Sequence, residues 1–62
     1  GEGGALLNLG NCLKRVGEHG KAIECFEKAR AVFIALGDMH TAGGIESMIN
    51  QVKSMAFGQN AG

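Results

Sequence analysis

The sequence predicts an all-α chain of three helices, on three observations. Large apolar residues recur at steps of three and four in three separate stretches, which gathers them on one face of a helix. No stretch alternates apolar and polar residues as a half-buried strand would. Gly17, Gly20 and Gly37 fall between the stretches, and the chain has no proline.

The first stretch runs from Ala5 to Val16. Leu6, Leu9, Leu13 and Val16 step along it by three and four, a single stripe expected to face the core. Gly17-Glu18-His19-Gly20 breaks the pattern, and Gly17 can take the left-handed conformation that closes a helix without steric cost. Lys14 and Arg15 stand in the last turn, where cations complement the helix dipole.

The second stretch, Lys21 to Leu36, carries Ala22, Phe26, Ala29, Phe33 and Leu36 at steps of four and three. Ile23, Val32 and Ile34 widen this stripe, so the helix is expected to bury more than one side. Lys21, Glu24, Glu27, Lys28 and Arg30 form its polar face. The order Glu24 to Lys28 suits an i,i+4 ion pair worth about 0.3 kcal/mol. Gly37-Asp38 ends the helix and offers a cap to the next one.

The third stretch holds Ile45, Met48, Ile49, Val52 and Met55. Gly43 and Gly44 stand at its front, each costing about 0.8–1 kcal/mol inside a helix relative to alanine. The helix therefore starts either near Asp38 with a weak first turn or at about Ile45. Glu46, Asn50, Gln51, Lys53 and Ser54 give it a broad polar side, as a terminal helix would have.

Length and charge narrow the function. A chain of 62 residues has room for one small domain and buries a poor share of its surface. Its hydrophobic content of 45% is that of a globular chain, which argues against disorder. A formal net charge of zero gives no electrostatic footprint for nucleic acid or an anionic membrane. The apolar run Ala29 to Leu36 is broken by Arg30 and too short to span a bilayer, so membrane insertion is not expected. Gly1, Gly3, Gly4, Gly58 and Gly62 lie near the two ends, where fraying is expected. Both ends read as cut from a longer chain.

Leu6-Leu7-Asn8-Leu9-Gly10-Asn11-Cys12-Leu13, followed by Gly17, Ala22, Phe26 and Ala29, resembles the tetratricopeptide repeat. That resemblance implies a helix–turn–helix unit, over about residues 3–36, belonging to an α-solenoid. Gly10 and Ala22 would be the small residues where the antiparallel helices approach, with Leu9, Leu13 and Phe26 around them. Ala29 would admit the next helix. Leucine at Leu6 and Leu13 and isoleucine at Ile34 depart from the family's usual aromatics and late proline. Phe33-Ile34-Ala35-Leu36-Gly37-Asp38 looks like the longer variant whose second helix runs to a Gly-Asp turn, found in scaffolds that orient spindles and regulate G proteins. A shift of about 39 residues lays Leu6, Leu9, Leu13 and Val16 on Ile45, Met48, Val52 and Met55. The Leu-Gly pair then becomes Met48-Ile49, so residues 38–57 read as a capping or degenerate helix.

By the same resemblance, Leu7, Asn8, Asn11, Lys14 and Arg15 would face the concave groove that holds a partner's peptide or helix. An asparagine amide has donors and acceptors for a ligand's main chain. Leucine at Leu7 stands where chaperone-tail-binding members carry a lysine, so their carboxylate clamp is not expected.

Other chemistry has thin support. Gly17-Glu18-His19-Gly20 has the Gly-x-x-Gly form of an RNA-clamping loop, but Glu18 has the wrong charge for a phosphate and the strands of that fold are missing. Cys12, Cys25, His19 and His40 hold no metal-ligand spacing, and nothing supplies an oxyanion hole or orienting acid for a Cys–His pair. The cysteines are expected reduced and partly buried as small hydrophobes, the histidines solvated in turns. The expectation is a non-catalytic, cytoplasmic module for protein partners, with neighbouring repeats or self-association through Ile34, Met48 and Met55 as further contacts. No cofactor, metal or nucleic acid is expected. The alternative is a structural part held permanently in a large assembly.

Overall fold

The computed structural model describes residues 1–61, with side chains as far as Ala56. Three helices follow in order: α1 (Glu2–Arg15), α2 (His19–Ala35) and α3 (Met39–Ala61). Helix α2 packs against both α1 and α3, which hardly touch each other. The architecture is an antiparallel hairpin with a third helix laid beside it.

Both turns have one construction. Gly17 and Gly37 take left-handed conformations, with φ of +89° and +81°. In the first turn the Glu18 N–H donates to the Leu13 carbonyl at 2.8 Å and the Gly17 N–H to that of Lys14 at 3.2 Å. In the second, Asp38 N–H donates to Phe33 and Gly37 N–H to Ile34, both at 2.9 Å. This pair of bonds satisfies carbonyls that a helix end leaves open, and a glycine without Cβ makes it inexpensive. The glycines at 17 and 37 therefore fix where α1 and α2 stop.

Helix α3 starts at Met39, the earlier of the two expected positions, and runs through Gly43 and Gly44. Asp38 supplies the reason. Its carboxylate accepts the Thr41 backbone N–H at 3.1 Å and the Thr41 hydroxyl at 2.7 Å, an N-cap arrangement. Ala42, one residue beyond the cap contact, is buried. Nothing in the structure explains why Gly43 and Gly44, both exposed, are glycine.

The core is built from Ala22, Phe26 and Ala29 of α2 and Ile45, Ile49 and Val52 of α3. Leu6, Leu7, Leu13, Ile23, Phe33 and Met48 pack around it, partly buried. The inward face of α1 differs from the expected stripe. Leu9 is 51% exposed and Val16 72%, while Gly3 and Gly10 are buried. The cause is the two phenylalanines of α2. A β-carbon at Gly10 would lie 2.6 Å from Cε1 of Phe26, and one at Gly3 would lie 2.6 Å from Cε2 of Phe33. The two contacts are seven residues apart on each helix and run in opposite senses, so they set the antiparallel register. Gly10 thus makes room for the ring of Phe26, one of the residues expected around its contact with α2. Gly3, read from sequence as a fraying end residue, lies under Phe33. Gly58 and Gly62 fall outside the residues whose surroundings are described.

Three further expectations are corrected at the periphery. Leu36 is 73% exposed, because the helix has ended and Leu36 is its C-cap. Ile34 is also exposed, so it does not widen the α2 core face. Glu24 and Lys28 do not pair. Among the described residues the ion pairs are Lys21–Glu18 at 3.4 Å and Arg30–Glu46 at 3.3 Å, the second tying α2 to α3. No helix among the described residues is long and apolar enough to cross a membrane.

Candidate functional site

Helix α1 turns three faces to its surroundings. One, with Gly3, Leu6, Gly10 and Leu13, meets α2 and the core. A second, with Ala5, Leu9, Cys12 and Val16 at steps of four and three, is exposed throughout. The third holds Leu7, Asn8, Asn11, Lys14 and Arg15, which span a sector of about 120° on a helix of 3.6 residues per turn.

Within that sector burial is graded. Leu7, Asn11 and Lys14 follow each other at steps of four and three and are all half-buried, whereas Asn8 and Arg15 are exposed. Leu7 also packs against the core. Across from this line, Lys14 shares an open cleft of about 420 Å³ with Gln51, Ser54 and Met55 of α3. Met55 is 42% exposed there. Because α1 and α3 both pack on α2 and run parallel, the cleft is the trough between them.

Sequence reasoning did not find Gln51, Ser54 and Met55 as lining residues. Gln51 and Ser54 were assigned to a solvated polar side and Met55 to the apolar stripe. The signal available was Met48–Gln51–Met55 at steps of three and four, a methionine pair with an amide between.

The titratable groups are spread out. Asp38 is held below its ordinary carboxyl value of 3.8 by the Thr41 hydroxyl bond first and the Thr41 backbone bond second, with a small contribution from His40. Hydrogen bonds to the charged form stabilise it. His19 opens α2 and His40 lies in the first turn of α3, one half-buried and the other exposed. Both belong to helices and not to the connecting turns. Cys12 and Cys25 are unpaired, and Cys12 is exposed where partial burial was expected. Among the described residues no group of three His, Cys, Asp or Glu side chains gathers as a metal site would.

The arrangement offers amides, a cation and a thioether along an open trough. Those are means of recognition.

Residues 4–33 match the family model described as tetratricopeptide repeat. No curated protein and no solved structure matches the chain. The matched segment covers the body of α1, the Gly17 turn and most of α2, including the Gly10–Phe26 contact. The hairpin of α1 and α2 is therefore a tetratricopeptide repeat, and α3 packs on it as a further helix.

Proposed function

We propose that the chain is a non-catalytic protein-binding module of an α-solenoid scaffold whose recognition surface is the trough between α1 and α3. The observation that supports this most is the cleft bounded by Lys14 on one helix and by Gln51, Ser54 and Met55 on the other. The half-buried line Leu7, Asn11, Lys14 extends it along α1. Tetratricopeptide repeats generally mediate protein contacts, and this trough is open, with Lys14, Gln51 and Ser54 polar and Met55 apolar in its lining. Asn8 and Asn11 supply amides that can both donate to and accept from a peptide main chain. Two unpaired thiols, one exposed, suit a reducing, cytoplasmic setting.

Selection of a random dodecapeptide library on the chain, followed by amide-shift mapping of the winning peptides, tests the proposal. Shifts are expected at Asn11, Lys14, Gln51 and Ser54, and Asn11→Ala with Gln51→Ala should abolish them. Footprints confined to other surfaces would refute it.

A second reading is favoured by a different observation. Ala5, Leu9, Cys12 and Val16 leave an apolar stripe of α1 in water, as a part held permanently in a larger assembly would if examined alone. Alkylation of Cys12 in the native assembly separates the two readings. Protection of that thiol favours a structural part, and rapid alkylation favours an exchangeable module.

A further inference from the structure

The outward face of α1 carries an apolar line. Ala5, Leu9, Cys12 and Val16 fall within about 60° of arc on a helix of 3.6 residues per turn, and all of them are exposed. The line lies about 140° round the helix from Gly3 and Gly10, the glycines that meet α2. None of its residues lines the trough. Leu36 and Met39 are comparably exposed, but they stand on either side of the second turn and form no line along a helix.

Along the line the residues run small, large, small, large: alanine, leucine, cysteine, valine. Their spacing of four, three and four reads the same from either end. A second copy laid antiparallel on the first therefore faces Ala5 with Val16 and Leu9 with Cys12. Every large side chain then meets a small one, as interdigitating layers require. The contact is isologous, with its two-fold axis between Leu9 and Cys12, so it closes at two copies. A parallel pair would set alanine on alanine and leucine on leucine, leaving voids at Ala5 and Cys12.

Charge selects the same direction. Glu2 stands in the first turn of α1, and Lys14 and Arg15 in the last. Antiparallel copies bring the acidic end of one helix alongside the basic end of the other, whereas parallel copies bring like ends together. Glu18, close to the basic end, is already engaged by Lys21 at 3.4 Å.

We propose that the outward face of α1 docks a second copy of this chain, antiparallel, with Ala5 on Val16 and Leu9 on Cys12. The line and the trough share no residue, so the dimer stands or falls apart from what the trough binds. A contact about 17 Å long and one helix wide stays below the roughly 1,200 Å² of a standard complex. The dimer is therefore a weak, exchangeable one.

Sedimentation equilibrium of the chain from about 10 µM to about 1 mM, a range suited to so small an interface, tests it, with circular dichroism on the same samples. The mass is expected to rise to two copies and stop. Helix content should rise with it, since association stabilises the folded form. Leu9→Lys should weaken the dimer at least about tenfold, and Leu36→Lys, at a residue as exposed, should leave it unchanged. Disulfide capture reads the register, in a background of Cys12→Ala and Cys25→Ala. Chains carrying Ala5→Cys and chains carrying Val16→Cys should link to each other at least about tenfold faster than either links to itself. Like positions lie about 17 Å apart along an antiparallel pair, too far for a disulfide.

A helical monomer throughout the range would overturn the proposal and assign the line to a different chain. Loss of helix at every concentration, or a mass that climbs past two copies, would overturn it too. So would a dimer that survives Leu9→Lys, or single-cysteine chains that link to themselves as fast as to each other. Each of these outcomes leaves the trough as it was.

Discussion

Replacing Gly10 with alanine is the most direct test of how the hairpin is held. A β-carbon there would stand 2.6 Å from Cε1 and 2.8 Å from Cδ1 of Phe26, well inside van der Waals contact. Phe26 cannot easily yield, being fully buried among Ala22, Ala29 and the α3 core residues. Overpacking of this kind costs about 1–3 kcal/mol. Alanine returns about 0.8–1 kcal/mol of helix propensity, which leaves a net loss of up to about 2 kcal/mol. Gly10→Leu adds more volume at the same point and is expected to cost at least as much. Urea unfolding followed by helix circular dichroism measures both, beside Gly4→Ala as a control where nothing lies within 4 Å of the new methyl. Phe26→Leu removes the ring edge, so the cost of Gly10→Ala should shrink in that background, a coupling that a double-mutant cycle reads directly. If Gly10→Ala raised stability as much as Gly4→Ala does, the glycine–phenylalanine contact would not be what sets the helix spacing.

The two classes of mid-chain glycine should respond oppositely. Gly17→Ala and Gly37→Ala, at φ of +89° and +81°, are each expected to cost about 1–2 kcal/mol, whereas Gly43→Ala and Gly44→Ala should each gain about 0.5–1 kcal/mol, by the same urea assay. The Asp38 cap makes the start of α3 acid-sensitive. The folded-state value lies below the unfolded one, so the contribution is complete above the ordinary carboxyl value of 3.8 and is lost as pH falls through the lowered value. Amide exchange at Thr41 and Ala42 should therefore quicken in acid, and Asp38→Asn should remove that pH dependence. At micromolar concentration the chain by itself should associate or lose helix, given the exposure of Leu9, Val16, Leu36 and Met39. A monomer with a sharp thermal transition well above room temperature, by sedimentation and circular dichroism, would contradict this. Self-association through Ile34 and Met55 together is not the route expected, since they lie toward opposite ends of the bundle.

The helices and turns were legible because their signals are local. Gly17 and Gly37 mark helix ends by a conformation that glycine adopts most readily, and steps of three and four need no knowledge of partners. The face of α1 was misjudged for a related reason. Counting large apolar residues selects Leu6, Leu9, Leu13 and Val16, but the side that meets α2 is defined by the absence of side chains at Gly3 and Gly10. Periodicity cannot see a void. The Arg30–Glu46 bridge was equally hidden, since its partners are sixteen residues apart and lie on different helices. The candidate site was half legible. Its α1 side came from likeness to a repeat, while its α3 side has no such likeness to display and needed the packing of α3 on α2.

The central position of α2 also bears on how the chain reaches its fold. Each helix meets its partner across a three-residue turn, Val16 to Glu18 or Leu36 to Asp38, so the sequence separation between contacting residues is small. Low contact order means little loop entropy is lost before contacts are gained, and such chains fold quickly. Either hairpin, α1 with α2 or α2 with α3, can form first and recruit the remaining helix. Slowed folding from a defect in α3 would then leave the first hairpin as an alternative nucleus, but a defect at Phe26 or Ala29 removes both routes together. Folding rates, more than equilibrium stability, should therefore single out α2 as the helix the chain cannot do without.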